Sequence, residues 1–359
     1  MAVHKAYERI SADWGDRYQK MEASLDELLR LARQAESPLL RAMKPTIALA
    51  LKWKFDYLSK TFESPFELEA DIEYWSGCMR MLTRLGKEEW FDTIQSDTDG
   101  SVDPWTRTAQ GFDLGWTTTT EGQRFEELRK IAQDRMDQLV EMLGGPDYFK
   151  GKEILDSGCG PGRYVDIMRR FGPKRVVGMD QGERLVKVAT ERFKDDPVVK
   201  IERGTAEKLT YADNSFDIVF SNGVIHHTSA DLRTMLADHA RVLRKGGVMF
   251  IMLIGKGGLE MKMWEWVRNF LYDVPLEQMI VTLRDKVSPY RLQGVVDHMY
   301  GEYQQTSRDV FEGWCKELFA RIERVHGIPG HDITPEIYAE DPYYEPRFGT
   351  GHLRYLCFK

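Results

Sequence analysis

Four cysteines are scattered over 359 residues, at Cys78, Cys159, Cys315 and Cys357, with no C-x-x-C among them. That excludes a disulfide framework and a thiolate metal site, and points to a reduced, cytoplasmic setting. No basic block accompanies the net charge of −7, which argues against nucleic acid as the main partner. The longest apolar run, residues 47–51, is far too short to span a bilayer, so no stable membrane insertion is expected. The first residues carry no apolar stretch of the kind a secretory signal needs. No pair of histidines at i, i+4 has a supporting carboxylate. Asp97 and Asp99 open like a calcium loop, but Thr108 stands where its closing glutamate belongs, so no metal is expected. Internal repeats and low-complexity tracts are also missing. What remains is 42% hydrophobic and 30% charged, a globular composition in a chain too long for one core, so two units are expected.

The most informative stretch is Ile154-Leu155-Asp156-Ser157-Gly158-Cys159-Gly160-Pro161-Gly162-Arg163-Tyr164. It reads as a buried strand ending at an acid, a glycine-rich turn, and a helix over 163–171. The glycines let the backbone turn tightly and approach a ligand. A dinucleotide turn needs G-x-G-x-x-G, and here the third glycine comes one residue early. Asp156 would also repel a pyrophosphate; an acid there suits a ligand carrying an ammonium group. A second apolar strand, 176–180, ends in Asp180, which can accept hydrogen bonds from two ribose hydroxyls. Further strands are expected at 198–202, 216–222 and 248–254, with a helix over 230–243 between the last two.

The order D-x-G-C-G-P-G, V-V-G-M-D, G-T-A-E-K-L, N-S-F-D-I-V-F-S and L-R-K-G-G resembles the class I S-adenosylmethionine-dependent methyltransferases, over roughly residues 111–359. The resemblance implies an α/β fold: a doubly wound, Rossmann-like sheet of seven strands, the last antiparallel. It implies S-adenosylmethionine as cofactor. Asp156, Gly158, Gly160 and Gly162 would hold its methionine part, Asp180 its ribose, and Ala206 and Glu207 would edge its adenine. Asn222 would lie under the methionine end. Cys159, Arg163, Tyr164, Gln181, Thr205 and Gly223 complete the implied cofactor-binding set. His226 and His227 follow the fourth strand, beside the expected methyl group. Either has a pKa suited to general-base work. Adjacent residues in an extended segment point opposite ways, so at most one faces the acceptor; the alternative is that both are structural.

Outside that core, residues 1–92 read as helices (24–35, 46–61 and 67–85), punctuated by Pro38 and Pro45. Residues 1–110 are expected to form a helical domain serving as a lid or as the interface of a homodimer. Residues 92–103 read as a linker. The segment 111–120, with Trp116, leads into an amphipathic helix over 121–143. Residues 256–305 read as a helical insertion, apolar on more than one side over 259–272, that resembles those placed beside the substrate in such enzymes. A helix over 308–319 and strands at 321–326 and 352–358 follow. Trp116, Tyr338, Tyr343, Tyr344 and Arg347 are candidate substrate contacts, and the arginine suits a carboxylate or phosphate; the alternatives are a packing tryptophan and a surface loop. The three extra segments are expected to enclose a compact, small-molecule acceptor. A sugar or lipid-linked acceptor, and a catalytically silent cofactor-binding partner, are the competing readings. The acceptor atom is open.

Overall fold

The structure is a computed structural model, and it describes residues 2–34, 38–60, 66–85, 103–119, 123–271, 274, 276–283, 292, 294–325 and 349–359. Tyr338, Tyr343, Tyr344 and Arg347 lie outside the described residues, as does most of the expected linker.

The short apolar runs become strands because alternate residues find apolar partners on opposite faces. The strands are β1 (Glu153–Ser157), β2 (Arg175–Asp180), β3 (Val199–Arg203), β4 (Phe216–Asn222), β5 (Leu243–Ile254), β6 (Arg321–Arg324) and β7 (His352–Phe358). They form one sheet in the order β3-β2-β1-β4-β5-β7-β6. The first five are parallel, and β7 runs antiparallel to both β5 and β6. The seven-stranded, doubly wound α/β fold with an antiparallel last strand is therefore present.

Leu155, Val177, Val219 and Met249 pack on one face with Met235 and Leu236 of α8 (Leu232–Val242) and Phe311 of α11 (Arg308–Leu318). Ile154, Val176, Ile218 and Val248 pack on the other with Ala132 and Met136 of α5 (Gln123–Met142) and Val165 of α6 (Arg163–Met168). Each fully buried aliphatic side chain contributes about 1.5–3 kcal/mol. α7 (Glu183–Phe193), which no reading of the sequence anticipated, joins β2 to β3.

The segment around Trp116 is helical rather than a lead-in loop: α4 spans Pro104–Thr119. Asp103 caps it, its Oδ1 accepting from the amides of Trp105 (3.0 Å) and Thr106 (3.1 Å), with Pro104 at the first helical position. Gly115, inside this helix, is required by packing, since a Cβ there would lie 2.5 Å from Val296 Cγ2.

The described chain divides into two compact units. One comprises residues 102–255, 282–332 and 352–359; the other comprises 1–101, 256–281 and 333–351. The boundary expected at residue 110 falls inside α4. In the second unit, α1 (Ala2–Arg33), α2 (Pro38–Lys60) and α3 (Phe66–Leu85) pack together with α9 (Gly258–Phe270). The first of these helices starts 22 residues before the expected Ser24. Pro45 lies inside α2, where buried Ile47, Ala48, Leu51 and Phe55 offset the backbone bond it forgoes. The apolar side of α9, with Met263, Trp266 and Phe270, is buried, and Trp266 Nε1 donates to the Leu25 carbonyl at 2.7 Å. α10 (Leu276–Leu283) follows. No described helix is long and apolar enough to cross a membrane.

Candidate functional site

The turn between β1 and α6 is held from below. The amides of Gly158 and Cys159 both donate to the Met179 carbonyl of β2, at 2.8 and 2.9 Å. Gly158, Gly160 and Gly162 all have positive φ. Gly162 (φ +89°) also has no room, because a Cβ would meet Phe193 Cε2 at 2.5 Å. Gly160 (φ +54°) differs: nothing stands within 4 Å of the position its Cβ would take. The turn therefore presents bare backbone to open space at Gly160.

Two acids flank it. Asp156 is buried in β1, opposite Gly178 and Phe220, and its Oδ2 has no hydrogen-bond partner among the described residues. Burial, with the charge of Asp180 adding to it and that of Arg163 opposing, pushes its pKa up to about 8. Asp180 ends β2. Its Oδ2 accepts the Gly160 amide at 2.8 Å and its Oδ1 the Gly182 amide at 2.9 Å. Burial raises its pKa; the amides of Gly182 and Gly160 lower it, and Asp113 raises it further.

Gln181, next in the chain, is exposed. Thr205, Ala206 and Glu207 follow β3. Thr205 Oγ1 accepts the Glu207 amide at 3.2 Å, and Glu207 Oε1 accepts from the amide and hydroxyl of Ser229 at 3.2 and 3.3 Å. Asn222 ends β4 and Gly223 follows with φ +74°. Cys159 is buried, and that burial holds its thiol well above its usual range, so it is no nucleophile. Tyr164 stacks at an angle on Phe220, ring centres 4.6 Å apart.

α4 supplies a layer over these residues that sequence reasoning resolved only at Trp116. Asp113 Oδ1 accepts the Leu185 amide at 3.0 Å, tying α4 to the start of α7. Trp116 Nε1 donates to Asp297 Oδ1 at 3.0 Å, and the Arg163 guanidinium lies 4.2 Å from the centre of the Trp116 ring. Asp297 belongs to a π-helical turn, Val295–Tyr300, within the expected insertion. Desolvation lowers the pKa of Arg163 from its usual range, yet a guanidinium stays charged.

His226 and His227 lie in a 3₁₀ turn, Ile225–His227, rather than an extended segment, and their ring centres are 4.2 Å apart. His226 is buried, with Nδ1 unpartnered among the described residues. Burial holds its pKa well below the usual range, and His227, His352 and His298 push the same way, so it is neutral at physiological pH. His227 Nδ1 lies 2.8 Å from the Glu302 carbonyl, which can only accept. The proton therefore sits on Nδ1, and in the neutral ring Nε2 carries the lone pair. Phe112 of α4 packs edge-on against this ring at 4.7 Å. Gln304 fastens the turn: its amide donates to the His226 carbonyl at 2.7 Å, and its Nε2 to the carbonyls of Thr228 and Ala230 at 2.6 and 2.7 Å.

Arg135, Tyr164, Phe220, Asn222, Phe250 and Arg354 line a small recess beside the end of β4. Arg135, Arg354, Asp113 and Asp297 were all missed in the sequence. No described group of His, Cys, Asp and Glu could hold a metal ion.

Residues 155–251 match the family model described as "Methyltransferase domain". Over 142 residues the chain is 36% identical to a "Ubiquinone biosynthesis O-methyltransferase" of Mesorhizobium japonicum, covering 37% of this chain and 56% of that protein. It is 33% identical over 160 residues to a protein of the same name from Maricaulis maris, covering 41% and 62%. The chain thus spans little more than half the length of the curated relatives it matches. A crystal structure of an S-adenosylmethionine dependent methyltransferase from Mesorhizobium loti aligns at 16% identity and a TM-score of 0.35, covering 60% of this chain and 97% of that one.

Proposed function

We propose that this chain, whose core is a class I S-adenosylmethionine-dependent methyltransferase domain with S-adenosylmethionine as its cofactor, transfers a methyl group to a small-molecule acceptor. The observation that carries the reading is the unpartnered, buried carboxylate oxygen of Asp156 beside the open backbone at Gly160. A buried acid without a partner is costly, and a ligand ammonium offsets that cost. The residues fit a cofactor with a cationic amino-acid end.

When bound, the cofactor supplies an already electrophilic sulfonium methyl, so rate comes chiefly from alignment of the acceptor. In this reading Asp156 meets the ammonium group and Asp180 accepts from ribose hydroxyls. The turn of Gly158, Gly160 and Gly162 lets the backbone approach, with Cys159 and Tyr164 packed beneath it. Thr205, Ala206 and Glu207 stand at the adenine side, Gln181 beside the ribose, and Asn222 and Gly223 at the methionine end. α4, through Trp116, helps exclude water. His227, held by the Glu302 carbonyl with its lone pair on Nε2, takes a proton from an acceptor that must lose one. His226, buried and neutral, packs against it.

The test is calorimetry with S-adenosylhomocysteine and with NAD, followed by transfer of a labelled methyl group to a fractionated metabolite extract. S-Adenosylhomocysteine should bind, NAD should not, and label should appear in a low-molecular-weight product. NAD binding without S-adenosylhomocysteine binding sinks the proposal.

A further inference from the structure

The 3₁₀ turn Ile225–His227 has no side-chain cap, and the carbonyls in and just beyond it are taken up by one residue from 75 or so positions later in the chain. The Gln304 amide donates to the His226 carbonyl at 2.7 Å, and its Nε2 to the carbonyls of Thr228 and Ala230 at 2.6 and 2.7 Å. Both protons of the side-chain amide are thereby committed. We propose that Gln304 and Thr108 of α4 are positioning residues for His227: they hold residues 302–306 as a strap against the histidine turn, and the strap selects the His227 tautomer whose lone pair is on Nε2.

The strap bonds through alternate residues. The Glu302 carbonyl accepts from His227 Nδ1 at 2.8 Å, Gln304 makes the bonds just given, and Thr306 pairs in parallel with Gly255, the residue after β5. A spacing of two is that of an extended chain. The segment therefore begins at the imidazole and ends on the sheet, with Gln304 fixing its middle.

Its beginning is anchored on α4. Thr108, only 1% exposed, donates its hydroxyl proton to the Pro104 carbonyl at 2.8 Å, and the same oxygen accepts the Glu302 amide at 2.8 Å. Glu302 is thus gripped at its amide by Thr108 and presents its carbonyl to His227. Gly301, just before it, runs close to α4: a Cβ there would lie 2.9 Å from Phe112 Cζ and 2.9 Å from the Asp297 carbonyl oxygen. Phe112 is the ring that packs on His227 at 4.7 Å. Thr108 and Phe112 stand four residues apart, on one face of the helix. That face supplies both the anchor of the strap and a wall of the imidazole.

The chemical consequence lies in the ring. In a neutral imidazole the place of the proton is set by the bond that a ring nitrogen makes. A carbonyl only accepts, so one fixed at Nδ1 keeps the proton there and the lone pair on Nε2. A carbonyl displaced by an ångström or so no longer makes that bond and no longer sets the tautomer. Gln304 is specific in this respect. A glutamate of the same size would bring a carboxylate against the Thr228 and Ala230 carbonyls, acceptor against acceptor. The proposal rests on the reading of His227 as the base, and it names what prepares that base.

The experiment records the imidazole nitrogen resonances of the full chain carrying nitrogen-15 histidine, with and without S-adenosylhomocysteine, at about pH 9, where an ordinary imidazole is neutral. The His227 signals are those missing from His227→Gln, and they should show the proton on Nδ1. Gln304→Glu should lower the ratio of Nδ1–H to Nε2–H tautomer by about tenfold, the scale of one lost hydrogen bond, with S-adenosylhomocysteine affinity within about twofold of wild type. Thr108→Val should shift the ratio the same way, and Thr108→Ser, which keeps the hydroxyl, should not. Thr108→Val carries the test if Gln304→Glu does not fold. The initial rate of labelled-methyl transfer into the metabolite extract, at saturating cofactor, should fall along with the ratio. A wild-type His227 protonated on Nε2 overturns the proposal. So do variants that lower the melting temperature and leave the ratio unchanged, which makes Gln304 a residue of folding only, and so does a lowered ratio with an unchanged transfer rate. If the wild-type chain binds no S-adenosylhomocysteine or transfers no label, the methyltransferase reading fails instead. The spectra of the ligand-free chain then still decide whether the strap sets the tautomer.

Discussion

The Gly160 amide donates to Asp180 Oδ2 at 2.8 Å, while the other oxygen of the same carboxylate holds the Gly182 amide at 2.9 Å. One acid at the end of β2 therefore fixes both the turn that follows β1 and the start of α7. Its proposed ligand role and its structural role fall on the same atoms. Asp180→Ala should weaken S-adenosylhomocysteine binding by about 1–3 kcal/mol, the scale of lost charge-assisted bonds, measured by calorimetry. It should also lower the melting temperature of the ligand-free chain, because two loop amides lose their acceptor. Unchanged affinity would place the ribose elsewhere.

The glycines of the turn separate folding from binding. Gly162→Ala forces a left-handed φ on alanine and drives a Cβ into Phe193, so it should cost stability by more than the roughly 1–2 kcal/mol of the backbone strain alone. Gly160→Ala meets no neighbour and should cost only about that strain. Its methyl, however, stands in the space a ligand would use, so S-adenosylhomocysteine affinity should fall more than melting temperature does. Equal effects of the two variants on both readouts would show that the space over Gly160 is not used.

Asp156 makes stability pH-dependent in a known direction. Its folded pKa of about 8 lies above the unfolded value of about 3.9. Below the unfolded value the carboxyl is protonated in both states and costs nothing. As pH rises through the interval toward about 8 the unfolded chain ionises first, so stability is progressively lost. Asp156→Asn stays neutral, and should flatten this part of the slope in thermal melts. A ligand ammonium favours the carboxylate, so S-adenosylhomocysteine binding near neutral pH should release a proton from the wild-type chain and not from the variant. Calorimetry in buffers of different ionisation enthalpy measures this, and identical proton counts would count against an ammonium beside Asp156.

His227→Gln removes the Nε2 lone pair that the Glu302 carbonyl orients. For an acceptor that must lose a proton, kcat should fall by about 10²–10⁴ with S-adenosylhomocysteine affinity unchanged. A matching loss of affinity would make the ring part of the cofactor's wall instead of a base.

Ser157 donates its hydroxyl to His239 Nε2 at 2.9 Å, because His239 Nδ1 lies 2.8 Å from the Met235 carbonyl and must donate to it. Both side chains are fully buried. Ser157→Ala leaves a buried acceptor unpaired between β1 and α8, and should cost about 1–3 kcal/mol in denaturant unfolding.

The strands around the glycine turn were legible because each is a short apolar run ending near an acid or a glycine, as at Ile154-Leu155-Asp156 and Val176 to Asp180. α4 was not, because Gly111 and Gly115 lower local helix preference. The contact with Val296 that makes Gly115 necessary is made across 181 positions of sequence, as is the indole bond from Trp116 to Asp297. Asp113 gave no signal for the same reason: its role is to cap a helix 72 residues away. Arg354 stands in an otherwise apolar strand, an anomaly visible in the sequence, but only the register beside Met252 and Asn222 gives that anomaly a location. The histidine pair was read as extended, and the 3₁₀ turn replaced alternation with two rings in contact.

β7 lies between β5 and β6 in the sheet, yet follows both in the chain, and its Phe358 pairs with Val248 and with Arg321. During synthesis β6 thus emerges from the ribosome with no strand to pair with. It waits until residues beyond 352 are released and thread into the gap. Until then β5 presents an open edge of apolar strand, available to any other nascent chain.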